Sequence, residues 1–310
     1  MKIFIGIDGG GTKTECLVTE ENFKTLYTSV HKPTNLTSLG TAAVSQIITE
    51  IVEESFSKIS RDEISEVSIV AGLAGAGRID ECEKLKNHLL QSLSNRYRKK
   101  FFISIVTDAV IALEGALSGR AGAILIAGTG SILFGKDVND NFFRVGGFGK
   151  ILGDEGGGYS IGRKALQFFS HTLDGRKTKS QLDKLISDTF HISDSNTLIK
   201  KVYSGNIEIQ ELAPLVIKAA EENNIDAIKI LEVESDELIK HIQAFLDLLK
   251  SKTMEISFIG SLISTENFYS TLLKEKIKNH FPHIKILNAE HPPEYGAILL
   301  SKKNYESGKL

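Results

Sequence analysis

The sequence is short of the residues that build special scaffolds. It has no tryptophan, two methionines and five prolines in 310 residues. Its two cysteines, Cys16 and Cys82, stand far apart and outside any C-x-x-C pattern. That gives no disulfide framework and no thiolate zinc site, and it fits a reducing compartment. No apolar stretch approaches the ~18 residues that a membrane-spanning helix requires, so no membrane partner is expected. The formal net charge of -2 leaves no global basic field for nucleic acid or anionic lipid. Any phosphate has to be held by local groups. The chain enters an apolar run at once, MKIFIGIDGGG, with no room for a signal or transit peptide. A cytoplasmic protein is therefore expected.

What remains is an ordinary globular composition, 41% hydrophobic and 25% charged. The length suits two domains of about 150 residues each. Glycine, at 27 residues, is in slight excess and clusters near 6–11, 72–77, 128–130 and 146–158. Glycines gathered between apolar runs signal tight turns and close approach of backbone to a ligand.

Apolar runs at 2–8, 14–20 and 25–30 read as three strands of a meander. A helix follows over 41–57, with Val44, Ile47, Ile48, Ile51, Val52 and Phe56 at helical spacing. Strands at 66–71 and 101–106 and helices near 79–95 and 109–117 complete a first unit. The pattern then restarts, with strands at 121–127, 131–136 and 142–146. Both meanders carry a Gly/Thr-rich turn after the first strand, which points to an internal duplication. The segment 158–250 reads as almost all helical. A strand at 255–260, a helix near 265–279, a strand at 284–287 and a helix near 294–302 end the chain. Strands alternating with helices predict an α/β fold with a largely parallel sheet in each half. The domains are expected at 1–118 and 119–295, the second carrying the helical insertion. A C-terminal helix near 296–310 is free to pack back on the first domain, and Ser118–Gly122 is the expected hinge.

Four places can do chemistry. In Asp8-Gly9-Gly10-Gly11-Thr12-Lys13-Thr14, glycines let backbone N–H groups converge on an anion, and the acid at the strand end suits a Mg²⁺ held through water. A strand follows this loop, so it is neither a Walker A loop nor a dinucleotide fingerprint. A purely structural turn accounts for it equally well. The second hairpin, Gly128-Thr129-Gly130-Ser131, strengthens the case, since two such loops facing across a cleft can grip opposite ends of a triphosphate. Asp108 ends the strand FFISIVT, where α/β proteins open onto their ligand crevice. It suits either the base of a phosphoryl transfer or an N-cap of the next helix. The run from Gly146 to Tyr159 sets Asp154 and Glu155 among glycines, as a hydroxyl-rich ligand needs or as a solvated loop allows. Lys13 and Lys150 either touch phosphate or are solvated, and Lys150 reads as solvated. The eight histidines show no metal-ligand spacing.

Taken in order, GIDGGGTKT at 6–14, VTDA at 106–109, AGTGSI at 127–132, GGFGKILGDEGGGYSIGRKAL at 146–166, FIGSLIST at 258–265 and PPEYGAILL at 292–300 resemble the N-acetylglucosamine kinase branch of the BadF/BadG/BcrA/BcrD ATPase family. The matches cover nearly the whole chain. The resemblance implies two ribonuclease-H-like domains of the actin/hexokinase ATPase fold with an interdomain cleft. It also implies ATP and Mg²⁺ as cofactors and a small-molecule sugar as substrate, and it is compatible with a homodimer. Asp8 would organise Mg²⁺, and Gly10, Gly11, Thr12, Lys13, Gly128, Thr129 and Gly130 would hold phosphates. Ala213, Gly260, Ser261 and Thr265 would line the nucleotide pocket. Asn35, Ser131, Ile132, Gly147, Phe148, Gly149, Asp154 and Glu155 would contact the sugar, with Asp108 as the base on its primary hydroxyl. Phe148 stands where this branch often carries tryptophan, and Ala74-Gly75 where some relatives offer a serine. Both departures bear on which sugar is taken.

Two other functions fit parts of the pattern less well. Some members of this family activate dehydratases or benzoyl-CoA reductases through a cysteine-held iron–sulfur cluster. Neither Cys16, in a strand, nor Cys82, on the apolar side of a helix, lies where such a cluster would sit. A sugar- or nucleotide-sensing repressor would need an added DNA-binding module, for which the sequence before the first strand leaves no room.

Overall fold

The computed structural model describes residues 1–59 and 63–308. The chain divides into two compact units, Met1–Arg120 with Ala289–Leu310, and Ala121–Asn288. In the first unit strands β1 (Lys2–Gly9), β2 (Thr14–Glu20), β3 (Thr25–His31), β4 (Glu66–Leu73) and β5 (Lys100–Thr107) form one sheet in the order β3-β2-β1-β4-β5. The helices are α1 (Leu36–Lys58), α2 (Ile79–Arg96), α3 (Asp108–Ala116) and, from the chain's end, α10 (Pro293–Glu306). The sheet is not largely parallel: β1–β2 and β2–β3 are antiparallel, and β1–β4 and β4–β5 are parallel. The reason is connection length. The turns after β1 and β2 are too short for a crossover, which takes a dozen or more residues.

β1 is central, so it is apolar on both faces. Ile3, Ile5 and Ile7 pack with Val44, Ile48 and Ile51 of α1 and Leu85 and Leu89 of α2. Phe4, pointing the other way, packs with Ile298 of α10. That second face is a close fit. A Cβ on Gly296 would run into the carbonyl of Ile111 and the backbone of Gly115, and one on Gly115 into the carbonyls of His291 and Pro292. Glycine at both positions lets α3 and α10 touch along their backbones. Ser301 Oγ, on α10, also donates to Ser68 Oγ of β4 at 2.7 Å, fully buried.

Residues 36–58 contain one break. Gly40 has φ 75°, so a single turn precedes the helix proper, which runs on from there as its apolar spacing predicts. The strand ends of this unit are level: Gly9 pairs with Leu73, and Leu73 with Thr107. Asp8, the hairpin Gly10–Lys13, Ala74 and Asp108 therefore share one edge of the sheet.

The second unit repeats the plan. Strands β6 (Gly122–Ala127), β7 (Ser131–Lys136), β8 (Phe142–Gly146), β9 (Met254–Ile259) and β10 (Ile284–Leu287) lie in the order β10-β9-β6-β7-β8. β6–β7 and β7–β8 are antiparallel, while β6–β9 and β9–β10 are parallel. Strand order and direction thus match the first unit strand for strand, which is the duplication expected from the two hairpins. Between β8 and β9 come α4 (Gly158–Leu173), α5 (Gln181–Phe190), α6 (Ser195–Tyr203), α7 (Leu212–Glu221) and α8 (Ile225–Leu249). α9 (Phe268–His280) starts later than its periodicity suggests, because Asn267 forms a reciprocal capping box with Ser270. Among the described residues no helix is long and apolar enough to cross a membrane.

The α3–α10 contact yields a stability test. Gly296→Ala forces a methyl group into backbone and should cost roughly 1–3 kcal/mol, the usual penalty of overpacking. Gly11→Ala, whose added methyl meets nothing within 4 Å, should cost far less. Equal denaturation midpoints for the two variants would rule out the tight crossing.

Candidate active site

In the first unit the hairpin Gly10–Lys13 is a tight exposed turn. Gly10 N–H donates to Lys13 C=O at 3.0 Å, and Thr12 and Lys13 face outward. Two further backbone bonds hold its base, Ala74 N–H to Gly9 C=O at 2.8 Å and Thr34 N–H to Gly10 C=O at 3.2 Å. Behind it three carboxylates meet. Asp8 and Glu15 pair directly across the β1–β2 ladder, and Glu294 arrives on the first turn of α10. One oxygen from each lies within 4.8 Å of the others. Burial, then the neighbouring charges of Glu294, Asp108 and Glu15, push the Asp8 carboxyl up to about 6. Burial likewise raises Glu294, whose Oε2 is buried with no hydrogen-bond partner. Lys13 pairs with Glu15 at 2.8 Å from an exposed position. An acidic, oxygen-only donor set with an unused buried oxygen fits a hard divalent cation such as Mg²⁺.

Asp108 is the first residue of α3 and is exposed; Thr107 occupies the N-cap position. Asp108 Oδ1 accepts from the adjacent Ala109 N–H, at 2.9 Å. Asp108 is thus not the N-cap residue that the sequence left open, although its carboxylate serves one amide of the first turn. Asn35 does cap: its Oδ1 accepts from Ser38 N–H at 3.0 Å and Ser38 Oγ at 3.2 Å. Its Nδ2 is left to donate elsewhere. The segment Ala74–Gly75 adjoins it, since Leu36 N–H donates to Ala74 C=O at 2.9 Å.

In the second unit the loop Gly128–Ser131 and the run 146–159 form one framework. Gly158 N–H donates to Gly128 C=O at 2.8 Å, and Tyr159 N–H to Thr129 C=O at 2.9 Å. Ser131 Oγ donates to Glu155 C=O, so this hydroxyl braces the loop. Ile132 packs against Gly147. Asp154 adopts φ 62°, in the left-handed region, and its Oδ1 accepts from Gly149 N–H at 3.0 Å. A Cβ on Gly130 would strike that carboxylate. Phe148, Ile151 and Leu152 project from the loop, 63%, 87% and 80% exposed. Arg144 stacks over Phe148 at 5.0 Å, and Lys150 lies 5.2 Å from the Tyr159 ring.

The segment after β9 also meets this hairpin's strand. Gly260, at φ 96°, sits against the Ala127 carbonyl, where any side chain would collide. Ser261 and Thr265 are exposed, and Thr265 Oγ1 donates to Ser261 C=O at 2.8 Å. Ala213 is not brought to this surface. It is fully buried in the core on the first turn of α7. A concavity of about 470 Å³ in this unit opens at the other edge of the sheet, beside Gly122, Lys136, Met254 and Lys285.

Sequence reasoning missed the groups behind these loops. Glu15 was within reach, because a four-residue turn after Gly9 sets it opposite Asp8. Glu294 comes from the far end of the chain, and no local pattern points to it. Glu234 is fully buried, and it accepts from the Gly156 N–H and from Ser160 Oγ. Its signal is an acid between Leu231 and Leu238 on the apolar stripe of α8. His241 Nε2 lies 3.8 Å from Glu155, and burial lowers the imidazole's proton affinity.

Two copies of a mixed five-stranded sheet, each with a glycine-rich hairpin at the head of its first strand, define the actin/hexokinase class of ATPase fold. The family model of the BadF/BadG/BcrA/BcrD ATPase family matches residues 5–301, and the chain belongs to that family. It is 30% identical to an N-acetylmuramic acid/N-acetylglucosamine kinase of Clostridium acetobutylicum, over 97% of this chain and 99% of the relative. It is 29% identical to an N-acetyl-D-glucosamine kinase of Dictyostelium discoideum, over 97% of this chain and 98% of that one. Among solved structures, a ROK family glucokinase from Streptomyces griseus shares the fold with a TM-score of 0.56 at 15% identity, over 98% of this chain and 99% of that chain.

The acid cluster predicts a pH signature. A carboxyl raised above its unfolded value stabilises the fold only while protonated, so its contribution is lost as pH climbs from 3.8 towards about 6. Asp8→Asn removes that loss. Its stability advantage over the wild type should grow by roughly 2–3 kcal/mol between pH 4 and pH 7 without Mg²⁺, and shrink when Mg²⁺ is added. Denaturant titrations showing a pH-independent difference would sink the assignment.

Proposed function

We propose that the protein transfers the γ-phosphoryl group of ATP to the primary hydroxyl of an amino sugar, N-acetylglucosamine giving its 6-phosphate. Membership of the ATPase family and the names of the curated relatives support the reaction class. The observation that carries the catalytic reading is Asp108. It is an exposed carboxylate just past a strand end, on the first turn of α3 and not at its N-cap. Phosphoryl transfer needs such a group to accept the hydroxyl proton. The sugar oxygen bonds to the γ-phosphorus, the bond to the β-bridging oxygen breaks with its electrons leaving on ADP, and the proton passes to Asp108.

The other groups take roles by their geometry. Asp8, Glu15 and Glu294 would hold Mg²⁺, which would neutralise phosphate charge. The backbone N–H groups of Gly10, Gly11, Gly128 and Gly130, with Thr12, Thr129 and Lys13, receive phosphate oxygens. Gly260, Ser261 and Thr265 offer an exposed, bare surface to the nucleoside, with Ala213 behind the surface. Asn35 offers its free amide donor to the sugar, Asp154 and Glu155 accept its hydroxyls, and Phe148 with Gly147 and Gly149 gives it an apolar face. Ser131 and Ile132 support that loop from below. An iron–sulfur activator finds no support in the thiols: burial pushes Cys16 up to about 12, and thiolate is what a cluster requires.

ADP release with Mg·ATP, measured against N-acetylglucosamine, glucosamine, N-acetylmuramic acid, glucose and no sugar, tests the reading. Strong stimulation by one amino sugar is expected, and release that ignores every sugar would overturn it. Asp108→Asn should lower kcat by roughly 10²- to 10⁴-fold with ATP affinity unchanged. Near-normal turnover would take the base role from Asp108. Thr12→Ala should instead weaken ATP binding.

A further inference from the structure

The acid loop of the second unit ends on a buried clasp that no part of the chemistry above uses. Glu234, midway along α8, has no solvent exposure. One carboxylate oxygen accepts from the Gly156 N–H. The other accepts from Ser160 Oγ at 2.7 Å and pairs with Lys164 Nζ at 3.0 Å. A wholly buried carboxylate is costly unless its oxygens are matched by donors. Here the donors come from the residue after Glu155 and from the first two turns of α4. Two more contacts pin the same peptide. The fully buried Tyr269 hydroxyl of α9 donates to Gly156 C=O at 3.0 Å, and the Leu238 side chain fills the space where a Cβ of Gly156 would lie. Gly156, at φ 82°, is therefore gripped through its N–H, its carbonyl and its missing side chain.

The grip falls at one point of the loop. On its far side, Gly158 and Tyr159 keep their own backbone bonds to Gly128 and Thr129, so the phosphate hairpin does not depend on Glu234. On its near side, the Asp154 carboxylate accepts from the Gly149 N–H and its carbonyl from the Gly157 N–H at 3.1 Å, while Glu155 is held by Ser131 Oγ on its carbonyl and by His241 Nε2 3.8 Å from its carboxylate. The backbone that carries both carboxylates runs directly into Gly156, so where Gly156 is held sets where they start.

We infer that Glu234 is a positioning residue for sugar recognition: it fixes Gly156, and through it the Asp154 and Glu155 carboxylates, from a helix that does not itself touch substrate. The inference rests on the assignment of those two acids to the sugar, and its test separates the two. Glu234→Gln preserves shape but sets an NH₂ donor either against the Gly156 N–H or against the Ser160 hydroxyl and the Lys164 ammonium, where a carboxylate oxygen accepted. A displaced binding group of this kind typically costs roughly 10- to 100-fold. The KM for sugar should rise by that factor, while the KM for ATP stays within about twofold. Ser160→Ala removes a single donor and should give a smaller rise of the same kind. Asp183→Asn is the control for general destabilisation: that buried acid caps α5, accepting from Ser180 N–H at 2.7 Å and Thr172 Oγ1 at 3.0 Å, away from the loop. It should lower the melting temperature and leave both KM values alone.

Amide hydrogen exchange of the segment 150–160 is read on the same proteins, without any sugar. Faster exchange in Glu234→Gln but not in Asp183→Asn establishes the clasp, even if the wild type phosphorylates no sugar and the functional reading fails. Unchanged exchange, or a wild-type kinase whose sugar KM survives Glu234→Gln, overturns the inference.

Discussion

Three carboxylates held within 4.8 Å of one another are an electrostatic burden that the first unit has to carry. Asp8 and Glu15 face each other across an antiparallel pair, where like charges are unfavourable, and Glu294 is brought in beside them half-buried. The fold supplies the restraint elsewhere. α10 is pressed against β1 and α3 so closely that Gly6, Gly115 and Gly296 have no room for a side chain, and the carbonyl of Glu294 itself abuts Gly6. Apolar burial around Phe4, Ile298, Val70 and Leu300 supplies the free energy. The repulsion is resolved by proton uptake at Asp8 or by a cation. A site that keeps its charge uncompensated until a metal arrives is one whose folded state favours metal binding, because ligand and fold stability are linked.

The second unit solves the opposite problem. Its loop 146–159 is too rich in glycine to hold itself in shape, since each glycine costs more backbone entropy to fix than any other residue. Order is imposed from below, by buried polar groups on α4, α8 and α9 converging on Gly156. Every one of these bonds lies in a region of low dielectric, where a satisfied network rigidifies and an unsatisfied one is costly. The loop's tip, with Phe148, Ile151 and Leu152 exposed, is left outside that network. A ligand with an apolar face meets adaptable side chains at the tip and fixed carboxylates at the base.

Much of this was legible in the residues. Period-two and period-3.6 patterns located the strands and most helices, because both sheets are buried and their helices amphipathic. The two hairpins exposed the duplication, because a glycine-rich turn after an apolar run is a local signal. What could not be read is non-local. Alternating strands and helices point to largely parallel sheets, although two short turns in each exclude that. The residue pattern leaves Asp108 compatible with base or cap, and only the fold puts Thr107 at the N-cap position. Glu294, Glu234 and Tyr269 act on residues 78 to 286 positions away, and neither spacing nor composition encodes such a contact. Glu234 came nearest to announcing itself, since a charge inside an apolar stripe has to find buried partners or break the helix's packing.

The two units share a topology but not a division of labour, and the difference follows from what each repeat inserts. In the first, β3 leads by a single helix to β4, and the edge stays open for the three clustered acids and Asp108. In the second, the same connection holds five helices, and α4 and α8 from that insertion carry Ser160, Lys164, Glu234 and His241 to the loop. The insertion is thus the structural reason that only the second copy can hold a long glycine-rich loop in one shape. One plan gives an edge lined by three clustered carboxylates in one copy and a rigidly backed acid loop in the other. The chemistry diverges at the connection between the third and fourth strands, while the sheets themselves stay alike.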